Sequence, residues 1–331
     1  MTQRDNDMTE PKDRAADQAP IAVIAVGGNA LAPEGGGTSL HDQASAAARA
    51  ASHIVDVAAQ GWRIVLTHGN GPQVGYILRR SELAMNEVPP VPMDYATADT
   101  QGAIGDMFQR SLYNELHRRG LSTHVATVVT QVVVDAGDPA FQNPAKPIGS
   151  IMDAATAQQL AQANGWSIME EPGRGWRRCV ASPRPQTVVE IDTIRALLDQ
   201  NHIVIACGGG GIPVTREADG TLCNREAVID KDLASALLAR QLQAQRLLIV
   251  TAVPKVAIHF GKPEQRWLDR LTVAEAEQLM GEGHFGKGSM GPKVEAVLDY
   301  VNQSAHGEGV ITDILNMGEA LAGGGGTRIG R

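Results

Sequence analysis

The chain has 331 residues, a formal net charge of −8, 43% hydrophobic residues and only 4% aromatic residues. This length supports a sizeable core in one large or two smaller domains, and the aliphatic composition favours buried parallel strands over an aromatic-rich β-sandwich. The acidic balance excludes a general nucleic-acid binder, and no run approaches the roughly 18 apolar residues that a membrane-spanning helix needs.

The N-terminal segment and the cysteines indicate a cytoplasmic protein. Residues 1–19 are polar and of mixed charge, so we expect a disordered tail and not a signal peptide. Cys179, Cys207 and Cys223 are odd in number and lack the paired spacing of a metal site. They favour a reducing compartment over a disulfide framework.

Short apolar runs alternate with helical patterns along the chain. Strand, glycine turn and helix in succession predict βαβ units around a mostly parallel sheet. Strands are predicted at 21–26, 63–67, 122–134, 202–207, 246–251 and 307–312, and helices at 42–59, after the turn at 67–75, and at 98–119, 233–242 and 292–301.

The segment 135–186 interrupts this alternation. It is rich in proline, glycine and charge and contains short β-like pieces, which predict an inserted hairpin and loop excursion. We expect residues 20–331 to form a single domain with an N-lobe at about 20–195 and a C-lobe at about 196–331.

Glycine-rich turns follow three of the predicted strands. Ligands of open parallel sheets bind at the carboxyl ends of strands, and glycine lets backbone N–H groups approach phosphate oxygens. A single such turn is often only a tight corner, whereas three in one chain indicate anion binding. The turns contain Gly27, Gly28 and Asn29; Gly69, Asn70 and Gly71; and Gly208, Gly209, Gly210 and Gly211.

Two standard phosphate-binding motifs are absent. The first turn lacks the GxGxxG pattern of dinucleotide sites, and the stretch 281–287 begins like a Walker A loop but is followed by Gly288 in place of serine or threonine. The chain therefore has neither fingerprint.

Two lysines lie at predicted helix N-termini, where a cation opposes the helix dipole. Lys231 lies between Asp230 and Asp232, and Lys293 lies in the first turn of the last helix. Lys231 is either paired with Asp230 and Asp232, which then cap the helix, or held for phosphate with Asp230 positioning it. Lys293 is either a solvated lysine or one held for an anionic ligand. Lys146 lies between two prolines in a stiff segment, where positioned groups and ordinary surface lysines both occur.

These residues together resemble the carbamate kinases of the amino-acid kinase family. The resemblance covers residues 21–329. The matching stretches are AVGGNAL (25–31), THGNGPQVG (67–75), QGAIG (101–105), NPAKPIG (143–149), GWRRCVASPRP (175–185), ACGGGGIPV (206–214), EAVIDKDLAS (226–235), VAIHFGKPEQ (256–265), GSMGPKVEA (288–296) and GTRI (326–329).

The resemblance implies an α/β fold, a three-layer αβα sandwich around a mostly parallel sheet, with a small subdomain protruding near 135–186. It implies a homodimer, without nucleic-acid or membrane partners, that converts ADP and carbamoyl phosphate to ATP and carbamate, or the reverse. Such a reaction would generate ATP during arginine, agmatine or purine breakdown. Mg²⁺ would accompany ATP or ADP, held mainly by the nucleotide phosphates.

The resemblance also implies residue roles. Lys146, Lys231 and Lys293 would be catalytic, with Asp230 organising them. Carbamate is already an anion, so the reaction needs neutralisation of charge and in-line alignment instead of a general base. The small acid and the transferred phosphate would lie against Gly27, Gly28, Asn29, Gly69, Asn70 and Gly71, and the nucleotide against Gly208, Gly209, Gly210, Gly211, Lys231, Ser289, Met290 and Lys293.

Lys287, Ser150 and the stretch 94–100 depart from the carbamate kinase pattern and bear on substrate preference. The alternatives are another amino-acid kinase acting on acetylglutamate, glutamate or a nucleoside monophosphate, and a nucleotide-binding regulator without turnover. A dehydrogenase is disfavoured by the missing fingerprint. We interpret His68 as shaping its turn by a hydrogen bond and not as an acid or base. Arg177 and Arg178 either bind phosphate or form a solvated hairpin face, and we favour the hairpin face.

Overall fold

The structure is a computed structural model that describes residues 19–27, 39–286, 288–305 and 307–331. Gly28, Asn29, Lys287 and the predicted tail up to residue 18 lie outside the described residues.

The strands form one large sheet and three smaller ones within the described ranges. The strands are β1 (Ile21–Val26), β2 (Arg63–His68), β3 (His124–Thr127), β4 (Gln131–Val134), β5 (Lys146–Met152), β6 (Ser167–Glu171), β7 (Gly175–Val180), β8 (Pro185–Val188), β9 (His202–Ile205), β10 (Ile212–Arg216), β11 (Leu222–Asn224), β12 (Arg246–Val250), β13 (Val256–Ile258), β14 (Arg266–Leu268), β15 (Arg270–Thr272), β16 (Glu308–Thr312) and β17 (Thr327–Gly330).

Helices lie in several of the connections between these strands. They are α1 (Leu40–Ala59), α2 (Gln73–Ala84), α3 (Met93–Arg118), α4 (Ala154–Asn164), α5 (Ile191–Asp199), α6 (Lys231–Gln241), α7 (Val273–Gly281), α8 (Met290–Gln303) and α9 (Met317–Ala322), with short 3₁₀ turns at Pro139–Phe141 and Gly208–Gly210.

The large sheet has the strand order β15-β17-β16-β12-β1-β2-β9-β3. Its pairs are parallel except for β16 with β17. A parallel strand covered on both faces needs apolar residues at every position, and the sequence of β1 is apolar and buried throughout. Val23 and Ala25 face a core shared with α6 and α8, whereas Ile24 and Val26 face a core shared with α1 and α3. The predicted three-layer αβα sandwich is confirmed.

The predicted single strand at 122–134 is wrong. Its residues form β3 in the large sheet and β4 in a second sheet of order β11-β10-β4-β8. Between them, the side-chain oxygen of Gln101 on α3 accepts a hydrogen bond from the Thr130 N–H (2.8 Å). The backbone therefore leaves one sheet for the other at a point where a buried amide replaces a ladder partner.

A three-stranded antiparallel sheet, β5-β7-β6, occupies much of the segment predicted to be a subdomain. Helix α4 connects β5 to β6 and contacts β7. In the large sheet, β9 of the predicted C-lobe lies between β2 and β3 of the predicted N-lobe. The lobe boundary near residue 195 stays a prediction.

Close packing of α8 on β16 predicts the effect of a methyl group at Gly309. A Cβ there would lie 2.2 Å from Cγ1 of Val297. Both residues are buried, so Gly309→Ala should lower the free energy of unfolding by about 1–3 kcal/mol. Urea denaturation measures the change.

Gly102→Ala is the matched control for that substitution. Gly102 lies on the exposed face of α3, and its Cβ would meet nothing within 4 Å. It should raise the free energy of unfolding by up to about 1 kcal/mol, because alanine favours helix. Equal effects of the two substitutions would contradict the packing described here.

Candidate active site

The first turn of α6 brings two carboxylates and a lysine to the centre of the molecule. Asp230 is the N-cap, and its Oδ1 accepts a hydrogen bond from the N–H of Asp232 (2.9 Å). Aspartate is favoured there because its carboxylate satisfies helix N–H groups that have no intrahelical partner. Lys231 is the first helical residue, and its carbonyl accepts a hydrogen bond from Ser235 (2.7 Å).

Three lysines from three different elements converge on these two carboxylates. Lys146, at the start of β5, places its Nζ 3.0 Å from Oδ2 of Asp230. Lys293, in the first turn of α8, places its Nζ 2.9 Å from Oδ2 of Asp232, and Lys231 pairs with the other oxygen of the same carboxylate. Three ammonium groups therefore face two carboxylates, which leaves an excess of one positive charge.

Burial and mutual repulsion shift the ionisation of this cluster. Burial opposes the charge of Asp232, but the neighbouring ammonium groups of Lys231 and Lys293 outweigh burial and hold its pKa below the usual range. The pKa of Lys231 is also lowered, first by burial and further by repulsion from Lys293. The lowered pKa of Asp232 and the lowered pKa of Lys231 are consistent with each other, because one carboxylate attracts two cations that repel each other. An anionic ligand would relieve this repulsion.

A cavity of about 590 Å³ opens beside the cluster. Lys146, Lys231, Asp230 and Asp232 line it. Further lining comes from the turn after β2, the bulged part of β5 and the glycine turn after β9, and these residues include Gly69, Asn70, Gly71, Gly149, Ser150 and Gly209.

A second cavity, of about 570 Å³, lies against the start of α8. Ser289, Met290 and Lys293 line it, together with His259 and His284. Because Lys293 also contacts Asp232, which lines the first cavity, one ion pair joins the two spaces. The two cavities are therefore adjacent at this ion pair.

The glycine turn after β9 packs more tightly than the sequence indicates. All four of its glycines are buried, and Gly209 lines the first cavity. The N–H groups of Gly210 and Gly211 donate to Cys207 and Gly208 within the turn itself. A Cβ added to any of the four would collide with a neighbour. At Gly208 it would lie 2.6 Å from the His68 ring, and at Gly209 it would lie 2.0 Å from the Asn70 side chain. At Gly210 it would lie 2.3 Å from the Ile229 carbonyl, and at Gly211 it would lie 2.2 Å from the Val132 side chain.

Gly27 follows β1, and the turn that begins at Gly69 follows the neighbouring strand β2, so both lie at the same edge of the large sheet. The Gly27 N–H donates to the Val250 carbonyl (3.3 Å), and the Gly69 N–H donates to the Val26 carbonyl (3.2 Å). The Asn70 side chain accepts a hydrogen bond from the Thr100 hydroxyl (2.5 Å). The unusual stretch 94–100 thus forms the first turns of α3, and it reaches the cavity through Asn70.

His68 lies in the interior of the protein. Its Nδ1–H donates to the Gly69 carbonyl (3.0 Å), and its ring stacks on Phe108 with 6.1 Å between centroids. Burial lowers its pKa to about 4; the hydrogen bond to Gly69 opposes this shift, and repulsion from Lys231 adds to it. The imidazole is therefore neutral at pH 7, in line with its interpretation as a group that shapes the turn.

Sequence reasoning missed two residues that organise this site. Asp232 pairs with two lysines, and its position next to Lys231 in the first helical turn was the available signal. Gln101 is buried and donates from its amide to the carbonyls of Thr130 and Gly208 (both 3.0 Å). Gln101 thereby joins α3 to the glycine turn.

The prediction of a solvated hairpin face at 177–178 is wrong, because both arginines are half-buried. Arg177 donates to Glu171 (2.8 Å) and lines the first cavity. Arg178 stacks over the ring of Trp166, with its Cζ 4.6 Å from the centroid.

The buried histidine predicts a pH dependence of stability. Between pH 4 and 6.5 the unfolded chain binds a proton at His68 that the folded chain does not, so stability falls as the pH falls. The contribution amounts to roughly 3 kcal/mol across this window. Unfolding by urea at pH 5 and pH 7.5 should therefore show a smaller pH dependence for His68→Gln than for the wild type.

His117→Gln, on the exposed end of α3, is the control for this prediction and should retain the wild-type dependence on pH. A His68→Gln protein with the full wild-type dependence would contradict the neutral, buried state of His68.

The shared carboxylate predicts a second effect. Asp232→Asn would leave two ammonium groups close together without their counter-charge, and breaking a buried pair in this way costs about 3–5 kcal/mol. Because an anion can replace the lost charge, ADP or inorganic phosphate should raise the melting temperature of this variant more than that of the wild type. An equal ligand-induced shift in both proteins would refute the charge argument.

Comparisons with known proteins identify the family of the chain. The model of the amino acid kinase family matches residues 20–312. The chain is 46% identical to the carbamate kinase of Thermococcus kodakarensis and 48% identical to the carbamate kinase-like protein YqeA of Escherichia coli, in each case over 93% of this chain and 98% of the relative. A carbamate kinase of Giardia lamblia bound to AMP-PNP superposes with a TM-score of 0.87 at 39% identity, over 94% of this chain and 98% of that one. The chain therefore belongs to the amino acid kinase family and, within it, to the carbamate kinases.

Proposed function

We propose that the protein is a phosphotransferase that reversibly moves a phosphoryl group between ATP and carbamate. The observation that supports this most directly is the convergence of Lys146, Lys231 and Lys293 between two cavities. A migrating phosphoryl group spreads negative charge over its oxygens, and fixed cations lower the barrier by offsetting that charge.

In this proposal the two cavities hold the two substrates. The small acid would lie in the first cavity, near Gly69, Asn70 and Gly71. Lys146, which also lines this cavity, would contact it. The nucleotide would lie in the second cavity against Ser289 and Met290. Carbamate needs no general base, which fits the neutral, buried state of His68.

Lys231 and Lys293 would act where the transferred group passes. Asp232 holds both ammonium groups, so their positions are set before the substrates arrive. Such preorganisation means that little rearrangement is needed as charge develops. Asp230 would hold Lys146 in the absence of substrate.

Mg²⁺ would enter as part of the nucleotide substrate. Asp230 and Asp232 are each engaged by lysine, which leaves the nucleotide phosphates as the main Mg²⁺ ligands. Among the described residues, no group of three or more histidines, cysteines or acidic residues is placed to hold a metal ion.

The homodimer, the cytoplasmic location and a role in catabolic ATP formation from arginine, agmatine or purine breakdown remain predictions. None of the described helices is long and apolar enough to cross a membrane.

A second candidate is a kinase of the same family that acts on a larger acid. The volume of the first cavity, about 590 Å³, supports this second candidate, because it is typical of sites for ligands larger than carbamate. Acetylglutamate and glutamate should therefore be assayed beside carbamate. Turnover of either, without turnover of carbamoyl phosphate, would assign the protein to this candidate.

The decisive measurement is a coupled assay for ATP formed from ADP and carbamoyl phosphate. Lys231→Met should lower kcat by roughly 10²–10³-fold, by analogy with the loss of one donor of an oxyanion hole. The side chain is part-buried, so circular dichroism and a melting temperature should accompany the assay.

Arg110→Gln is the control for that variant. It removes one positive charge from an exposed position on α3, where Arg110 pairs loosely with Asp106 (3.5 Å). Its kcat should stay within twofold of the wild type. Equal activity of the wild type and a folded Lys231→Met protein would refute the role of Lys231.

A further inference from the structure

Arg177 occupies an unusual position on β7. Its side chain is 23% exposed and lines the same cavity as Lys146 and Lys231. It donates from Nη1 to Oε1 of Glu171 (2.8 Å). Its Nε is buried and has no hydrogen-bond partner among the described residues.

The surroundings of Arg177 do not balance its charge. Glu171 also accepts a hydrogen bond from Arg174 (3.0 Å), so one carboxylate serves two guanidinium groups. A guanidinium presents five N–H donors in a fixed planar fork, and a buried donor without a partner is destabilising. A bound anion in the cavity would supply the second negative charge that these two guanidinium groups lack.

The fold also couples Arg177 to Lys146. Strands β5 and β7 pair in one sheet, where Lys146 lies opposite Val180, three residues beyond Arg177. Regular alternation would place the two side chains on opposite faces of the sheet, but a register shift between Ile148 and Met152 interrupts β5 beside Arg177. Lys146 and Arg177 accordingly line the same cavity. Backbone pairing of β6 with β7 holds the hairpin independently of the Glu171 ion pair.

We propose that Arg177 binds the anionic small-acid substrate and determines specificity for it, donating from its open guanidinium edge to a carboxylate or phosphate oxygen. This inference rests on the proposed function and deepens it, because it assigns recognition of carbamate and carbamoyl phosphate to the β5-β7-β6 sheet as well as to the glycine turns. A planar fork suits both anions. The nucleotide, in the second cavity, would not contact Arg177.

Steady-state kinetics of Arg177→Gln and Arg177→Lys test this assignment. Hydrogen bonds to charged groups predict a rise of roughly 10- to 100-fold in the KM for carbamoyl phosphate with Arg177→Gln. The KM for ADP should change less than twofold. Arg177→Lys should be intermediate, because it keeps the charge and loses the fork. Added methylguanidinium should partly restore the Arg177→Gln protein.

Glu171→Gln separates recognition from a purely structural role. It removes the ion pair of Arg177 and leaves the guanidinium group in place. If Arg177 binds the substrate, Glu171→Gln should keep a KM for carbamoyl phosphate within about threefold of the wild type. If the Arg177–Glu171 pair only anchors the hairpin, Glu171→Gln should show the same defect as Arg177→Gln. Matching defects in the two variants, or equal rises in both KM values, would overturn the proposal.

A direct binding measurement distinguishes failure of this inference from failure of the proposed function. Should the wild type form no ATP from carbamoyl phosphate, the proposed function fails, and inorganic phosphate then serves as the probe. Phosphate should raise the melting temperature of the wild type and of Glu171→Gln, and raise that of Arg177→Gln much less. Equal stabilisation of all three proteins would overturn the role of Arg177.

Discussion

The structure depends on one carboxylate that holds two ammonium groups. Asp232 is buried and contacts both Lys231 and Lys293, which come from the starts of α6 and α8. Two like charges at helix N-termini are unfavourable by themselves. The carboxylate makes their proximity tolerable, and it leaves the cluster one charge short of neutrality. The fold thus maintains a site that an anion stabilises.

Hydrogen bonds join this cluster to the large sheet. Thr67 at the end of β2 contacts the Ser235 hydroxyl (2.7 Å), which in turn donates to the Lys231 carbonyl. Gln101 fastens the glycine turn after β9 to α3. Strand ends, glycine turn and α6 therefore form one body. Lys146 comes from the β5-β7-β6 sheet, and its ion pair with Asp230 connects that sheet to the start of α6.

Hydrophobic patterning was enough to predict the mostly parallel sheet, because β1, β2 and β12 are buried on both faces and read as continuous apolar runs. The three layers were implied by the family resemblance. Patterning failed at 122–134, since periodicity cannot show that a backbone changes sheets where Gln101 replaces a ladder partner. The glycines at 208–211 were predicted as phosphate contacts, and tight approach to Asn70 and Ile229 gives Gly209 and Gly210 a packing reason that no local pattern reveals. Asp232 was missed because a capping interpretation accounted for it equally well.

The excess positive charge of the cluster also explains why the site suits an acceptor that is already an anion. A neutral acceptor would have to be ionised in the site, which requires a base, and His68 is buried, neutral and occupied by the Gly69 carbonyl. An acceptor that arrives ionised needs only cations that are already in place. Lys146 is the most exposed of the three lysines, at 27%, and its partner Asp230 is similarly exposed at 28%. Solvent weakens such a pair, so Lys146 is the cation that can leave its carboxylate for a substrate oxygen at least cost, while the buried pairs on Asp232 keep their geometry.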